Sequence, residues 1–224
     1  MRPGTPAAAR YSEAEIPAAR TPWRLARFCV VDLETTGLNP RSGEIISFAA
    51  IPIDEGRVRP GGLATELLRP RRMPGPDTMR IHGLRPADLE TAPTLQQALD
   101  RMLDALSGRT MVAHVAGVEE RFLGRALRGH GVRLRGGTID TARLAEAVLG
   151  PGRGPEPLPL SVVATRLGLP VHRPHHADGD ALTTAQVFIA LAARLERERG
   201  PQTVRSLTHA GRRLIRRRSA RGDG

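Results

Sequence analysis

The sequence predicts an α/β protein: a mixed β-sheet of three antiparallel strands followed by parallel strands, flanked by α-helices. Three observations predict it. Short apolar, β-branched runs joined by Gly-, Pro- and Asn-bearing turns occupy the first part of the chain. A helical period of apolar residues takes over at Leu95. Beyond it, strand and helix patterns alternate, which is the order expected of parallel strands joined by helical crossovers.

The elements follow in order. Residues 1–21 are Pro-, Ala- and Arg-rich without apolar periodicity and are expected to form a flexible tail. Phe28 to Glu34 is a buried strand, and Thr35-Thr36-Gly37 ends it. Residues 44–53 and 63–68 are the second and third strands, and the short turns between them favour an antiparallel meander. From Pro70 to Pro93 the chain is expected to be irregular because prolines interrupt any period. Leu95, Leu99, Met102, Leu103 and Leu106 mark a helix that Gly108 ends. Residues 110–114 form a strand and 119–127 a helix, and a short strand at 137–140 runs into the helix 141–149. A Pro/Gly loop at 151–159 precedes helices at 160–167 and 181–197. These elements define a domain over residues 22–199, followed by an Arg-rich tail over residues 200–224.

A chain of 224 residues suits one globular domain that buries a sizeable core. Its charge balance is unusual, at a formal +11 with a pI near 11.5. The chain has no lysine, so all 34 basic residues are arginine. GC-rich codon usage accounts for Arg in place of Lys, but not for the excess over 23 acidic residues. A field of that sign favours a polyanionic partner, nucleic acid first and an anionic membrane surface second. A single cysteine, Cys29, excludes an intramolecular disulfide and fits a reducing compartment. No apolar stretch approaches the roughly 18 residues needed to span a bilayer. The N-terminus has no apolar segment of a secretory signal, so the expectation is a cytoplasmic protein without a membrane role.

Two clusters carry chemistry. In Asp32-Leu33-Glu34, the two carboxylates are two apart on a strand and share a face, while Leu33 turns to the other side. Paired carboxylates at the end of an apolar strand are costly unless a cation offsets them, and hard divalent ions are the natural partners. The alternative is a strand end with solvated acids. The second cluster is His175-His176-Ala177-Asp178-Gly179-Asp180, just before a long helix. Asp180 can complete a metal site there, and a histidine with a near-neutral pKa can take a proton from water. The alternative is helix capping by Asp178 or Asp180 beside surface histidines.

With these motifs in hand, the chain resembles the DEDDh (DnaQ-like) family of 3′–5′ exonucleases, to which the epsilon subunit of DNA polymerase III belongs. Asp32-Leu33-Glu34-Thr35-Thr36-Gly37 resembles the family's first motif, and His175-x-Ala177-x-x-Asp180 its third. Ile81-His82-Gly83-Leu84 resembles the family's His-Gly loop, and Ile139-Asp140-Thr141 an Asp-Thr pair that is usually structural. The likeness covers roughly residues 28–195. The second motif departs: His114-Val115-Ala116-Gly117-Val118-Glu119 stands where the family has His-Asn-Ala-x-Phe-Asp, so Glu119 takes the place of the metal-binding aspartate.

The resemblance implies a ribonuclease H-like fold and two divalent cations, Mg²⁺ or Mn²⁺, held by Asp32, Glu34, Glu119 and Asp180. It implies that His175 is the general base, with His176 as the alternative. Thr35, Thr36, Gly37 and His82 would hold the terminal nucleotide, and nucleoside 5′-monophosphates would be released from the 3′ end of single-stranded DNA or RNA. Two other readings stay open. One is a catalytically weak nucleic-acid-binding module, for which Glu119 is the argument. The other is a proofreading subunit that works on a DNA polymerase. The sequence marks no dimer face.

Overall fold

A computed structural model describes residues 4–152 and 154–210. Its centre is β1 (Phe28–Thr35), which pairs antiparallel with β2 (Ile45–Asp54) on one side and parallel with β5 (Thr110–Ala113) on the other. Two short strands, β3 (Arg57–Val58) and β4 (Ala64–Leu67), pair with opposite ends of β2. β6 (Ile139–Asp140) extends the parallel side next to β5. The expected mixed sheet is therefore present, with β3 as an additional two-residue strand.

Alternation along β1 divides the interior. Phe28 and Val30 point to one face, where they join Ala49, Ile51, Val187, Phe188 and Leu191 in a core. Cys29, Val31 and Leu33 point to the other, packing with Phe48, Leu99, Leu103 and Phe122. The first core is covered by α8 (Ala177–Arg199), with α6 (Thr141–Leu149) and α7 (Leu160–Arg166) beside it. The second is covered by α4 (Leu95–Leu106) and α5 (Gly117–Gly129). Asp32 and Glu34 continue the Phe28–Val30 row, which sets them on the α8 side just past the apolar floor.

Four expectations are corrected. The expected N-terminal tail contains α1 (Pro6–Glu13), which starts with a Thr5 cap and buries Ala7, Ala8 and Tyr11 against α4. Arg135 donates its backbone N–H to the Tyr11 hydroxyl at 3.0 Å. The Ala-rich stretch looked featureless because small apolar residues give a weak period while still fitting closely against a neighbour. The proline-rich span holds α2 (Pro76–His82) and α3 (Pro86–Glu90), both with proline in the first turn, where its missing N–H is harmless. The long helix starts at Ala177 instead of Ala181, so Asp178 and Asp180 lie in its first turn. Finally, α9 (Val204–His209) lies within the expected C-terminal tail, and Val204 and Leu207 join the α8-side core. The tail arginines 212–218 lie outside the described residues. Among those described, no helix is long and apolar enough to cross a membrane.

Candidate active site

Carboxylate oxygens of Asp32, Glu34 and Asp180 all lie within 4.8 Å of one another. β1 supplies the first two and the first turn of α8 the third. Gly179 permits the approach: a Cβ there would sit 2.6 Å from the Arg173 carbonyl oxygen and would also strike that of His172. The requirement for glycine is not visible in the sequence, because it comes from a loop that folds back over the helix start.

Burial, then Glu119, Asp180 and Glu34, push the Asp32 carboxyl well above the ordinary carboxylate range. Glu34 is pushed up to about 8, by burial first and Asp180 second. Asp180 is raised by burial, which outweighs the opposing effects of the His175 backbone N–H and the His175 and His176 rings. Two unit charges about 4 Å apart repel by roughly 4 kcal/mol at an effective dielectric of 20, so three anions cannot share this space unaided. The cluster must hold protons or a cation.

Glu119 lies outside this group of three. It sits in the first turn of α5, only 6% exposed, and of the charged neighbours of Asp32 it acts most strongly on that carboxyl. Its Oε2 is buried without a hydrogen-bond partner, and burial pushes the group up to about 8. A buried carboxylate oxygen with no donor, beside three crowded carboxylates, is a donor set that hard divalent cations fit. Asp32, Glu34 and Asp180 would hold one ion; Asp32 with Glu119 would hold another.

His175 sits in the turn before α8 with φ 61°, a left-handed conformation that histidine tolerates better than most residues. Its backbone N–H donates to Asp180 Oδ2 at 2.9 Å, and its side chain is exposed beside the cluster. His176 is half-buried and lines a cavity of about 320 Å³ together with Glu34, His82, Leu84 and Asp178. His82 is 1% exposed; its Nδ1 accepts the Leu84 N–H at 3.0 Å, which leaves Nε2 as the buried ring nitrogen without a partner. Burial, and secondarily His176, lower its pKa, so the ring is neutral and Nε2 carries the proton.

Thr35, Thr36 and Gly37 lie at the end of β1, outside the lining of that cavity. Thr36 is tied to Glu44, its N–H donating to the Glu44 carbonyl at 2.9 Å and its Oγ1 accepting the Glu44 N–H at 3.0 Å. The cavity adds Ser47 and Thr65, which the motifs alone do not mark. A signal for them is nonetheless present: Ser47 pairs with Glu34 and Thr65 with Ala49, so polar residues interrupt the apolar alternation on the carboxylate face.

The second-motif turn is braced from behind. Val115 has φ 55°, and its N–H donates to Asp140 Oδ1 at 3.1 Å. His114 is fixed at both ring nitrogens, by Thr141 Oγ1 and the Leu158 carbonyl, each at 2.9 Å.

Comparison with known proteins gives a consistent result. A family model described as exonuclease, the RNase T family, matches residues 29–188. A DNA polymerase III subunit epsilon-like protein of Rhodobacter capsulatus is 33% identical over 181 residues, covering 80% of this chain and 25% of that protein. The chain thus spans about a quarter of that relative's length. DNA polymerase III subunit epsilon of Treponema pallidum is 30% identical over 182 residues, covering 77% of this chain and 80% of that one. Exonuclease X, solved in complex with 5′ overhanging duplex DNA, superimposes with a TM-score of 0.63 at 23% identity, covering 82% of this chain and 99% of the other.

Proposed function

Because this chain belongs to the RNase T family of exonucleases, we propose that it is a metal-dependent 3′–5′ exonuclease that releases nucleoside 5′-monophosphates from nucleic-acid 3′ ends. The observation that carries the reading is the group of Asp32, Glu34 and Asp180 oxygens within 4.8 Å of one another, with the partnerless Glu119 Oε2 nearby. Divalent cations, Mg²⁺ or Mn²⁺, supply water activation and charge neutralisation when bound. Asp32, Glu34, Glu119 and Asp180 would hold them.

The protein's own groups do the rest. His175, exposed and tied through its backbone N–H to Asp180, would take the proton of the attacking water. His82 and Glu34 line the cavity that would receive the sugar and base of the terminal nucleotide, and Thr35 to Gly37 would flank it from the end of β1. Few aromatic residues are present for stacking, so strand affinity rests chiefly on arginine–phosphate contacts and falls with salt.

The test is incubation of 5′-labelled single-stranded DNA and RNA oligomers with Mg²⁺, Mn²⁺ or EDTA. Metal-dependent ladders shortened from the 3′ end, abolished by Asp32→Ala, are expected. Intact oligomers bound with either metal present would leave the binding-module reading in its place. The names of the epsilon relatives favour a second possibility within the same chemistry, proofreading on a DNA polymerase. Co-purification with a polymerase would establish it.

A further inference from the structure

We propose that the exposed face of α5, with the rim of the groove beside it, is the track that holds the phosphodiester backbone upstream of the scissile bond. This rests on the exonuclease reading and assigns a path to the strand. Arg121, Arg125 and Arg128 are exposed and stand at i, i+4 and i+7, which places them on one face of the helix. Among the described residues none of the three pairs with a carboxylate, whereas Arg10, Arg24 and Arg101 each do. A row of uncompensated guanidinium groups suits phosphates, which the planar fork of arginine binds through two parallel hydrogen bonds.

The groove beside the helix, about 190 Å³, is lined by Arg69, Arg71, Arg125 and His130 over a floor that includes Phe122. Glu44 is the one acid in the lining, and it is already engaged: its oxygens accept the backbone N–H groups of Arg71 and Arg72 at 3.1 and 3.3 Å, and the Arg71 side chain pairs with it at 3.4 Å, which leaves Arg69 and Arg125 as the lining arginines without a carboxylate among the described residues. Arg125 donates to the carbonyls of Pro40 and Gly43, which fixes the loop between β1 and β2 along the groove edge. That loop is the one anchored at its other end by Thr36.

The row lies on the solvent face of α5, turned away from the buried Glu119, so a strand leaving the site would reach it by crossing over the first turn of the helix. Glu119 opens α5 beside Asp32, and the helix rises about 1.5 Å per residue. Arg121 to Arg128 therefore cover roughly 10 Å, starting about 3 Å beyond Glu119.

The test is binding without turnover. Fluorescence anisotropy of labelled oligo(dT) and oligo(U), each about a dozen nucleotides long, is measured in EDTA over a range of salt. The variants are Arg121→Gln with Arg128→Gln, and Arg128→Gln alone; Arg125 is spared because it holds the loop. The control pair is Arg20→Gln with Arg57→Gln, which removes the same charge from the N-terminal segment and from β3. The expected result is weaker binding by the α5 pair and a log–log salt slope shallower by about 0.7 for each phosphate that is no longer neutralised, so half as large an effect for the single variant. An unchanged slope in the α5 variants overturns the track, and so does an equal change in the control pair. Both outcomes are independent of whether the protein cuts, which the ladder experiment decides separately.

Discussion

Glu119→Gln separates the metal role of this residue from its effect on stability, and the two should move in opposite directions. The glutamate is nearly fully buried, its Oε2 has no donor, and its pKa is pushed up to about 8 from an ordinary value of 4.5. A carboxyl raised on folding binds its proton more tightly in the folded state. Its contribution to stability is therefore complete below 4.5 and is lost as pH rises through about 8. Each pKa unit is about 1.4 kcal/mol, so in the metal-free protein the ionised glutamate opposes folding by on the order of a few kcal/mol. Glutamine keeps the shape and removes the charge. In EDTA, thermal melting should show little difference between variant and wild type near pH 5. A gap favouring the variant should open as pH rises from about 5 to 8 and level off above 8, reaching several degrees at roughly 2–4 °C per kcal/mol. Added Mn²⁺ should close that gap by stabilising the wild type, while the variant loses at least about 100-fold in nuclease rate. Parallel pH profiles for the two proteins in EDTA would refute the reasoning, because Glu119 would then not carry the burial cost assigned to it.

Val115 is β-branched and left-handed at φ 55°, a combination that costs about 1–3 kcal/mol; Val115→Asn should raise the urea midpoint by relieving roughly 1 kcal/mol of it, and an unchanged or lower midpoint would show that the turn is not strained. Tyr11→Ala should cost about 3 kcal/mol in the same measurement, since α1 is packed on α4; a negligible loss would return the N-terminal segment to the status of a tail. His175→Gln should lower kcat by about 10²–10⁴-fold with KM little changed, and a drop of that size in His176→Gln instead would move the base by one residue.

What was legible in the sequence was whatever depended on local period and on side-chain chemistry. The apolar, β-branched run 28–31 betrayed β1, and the two-residue spacing of Asp32 and Glu34 put both on one face. Leu33 does turn to the opposite side, as that spacing requires. Less legible was whatever depended on packing between distant segments. α1 has only alanines and one tyrosine to declare its buried face, and its partner α4 lies far along the chain. α2 and α3 begin with the prolines that made their span look irregular. Gly179 is needed because the loop at 172–173 crosses the start of α8, a condition that no pattern within residues 175–180 encodes.

The second motif shows how a backbone conformation can be held against the preference of the side chain that adopts it. Val115 stands where the resemblance leads one to expect asparagine, a residue that enters the left-handed region readily, yet the turn is left-handed all the same. The conformation is imposed from outside: Asp140 holds the Val115 N–H, and Thr141 and Leu158 hold the His114 ring. Asp140 also caps α6 by accepting the Ala142 N–H at 3.0 Å, so one carboxylate joins the turn before α5 to the start of α6. That brace fixes where α5 begins, and therefore where its first turn delivers Glu119. A longer side chain in place of the expected aspartate reaches Asp32 from a helix whose origin is set by β6 and α6, not by the motif's own residues. The Asp-Thr pair is thus structural in a specific sense: it holds the second-motif turn although Val115 does not itself favour the left-handed region.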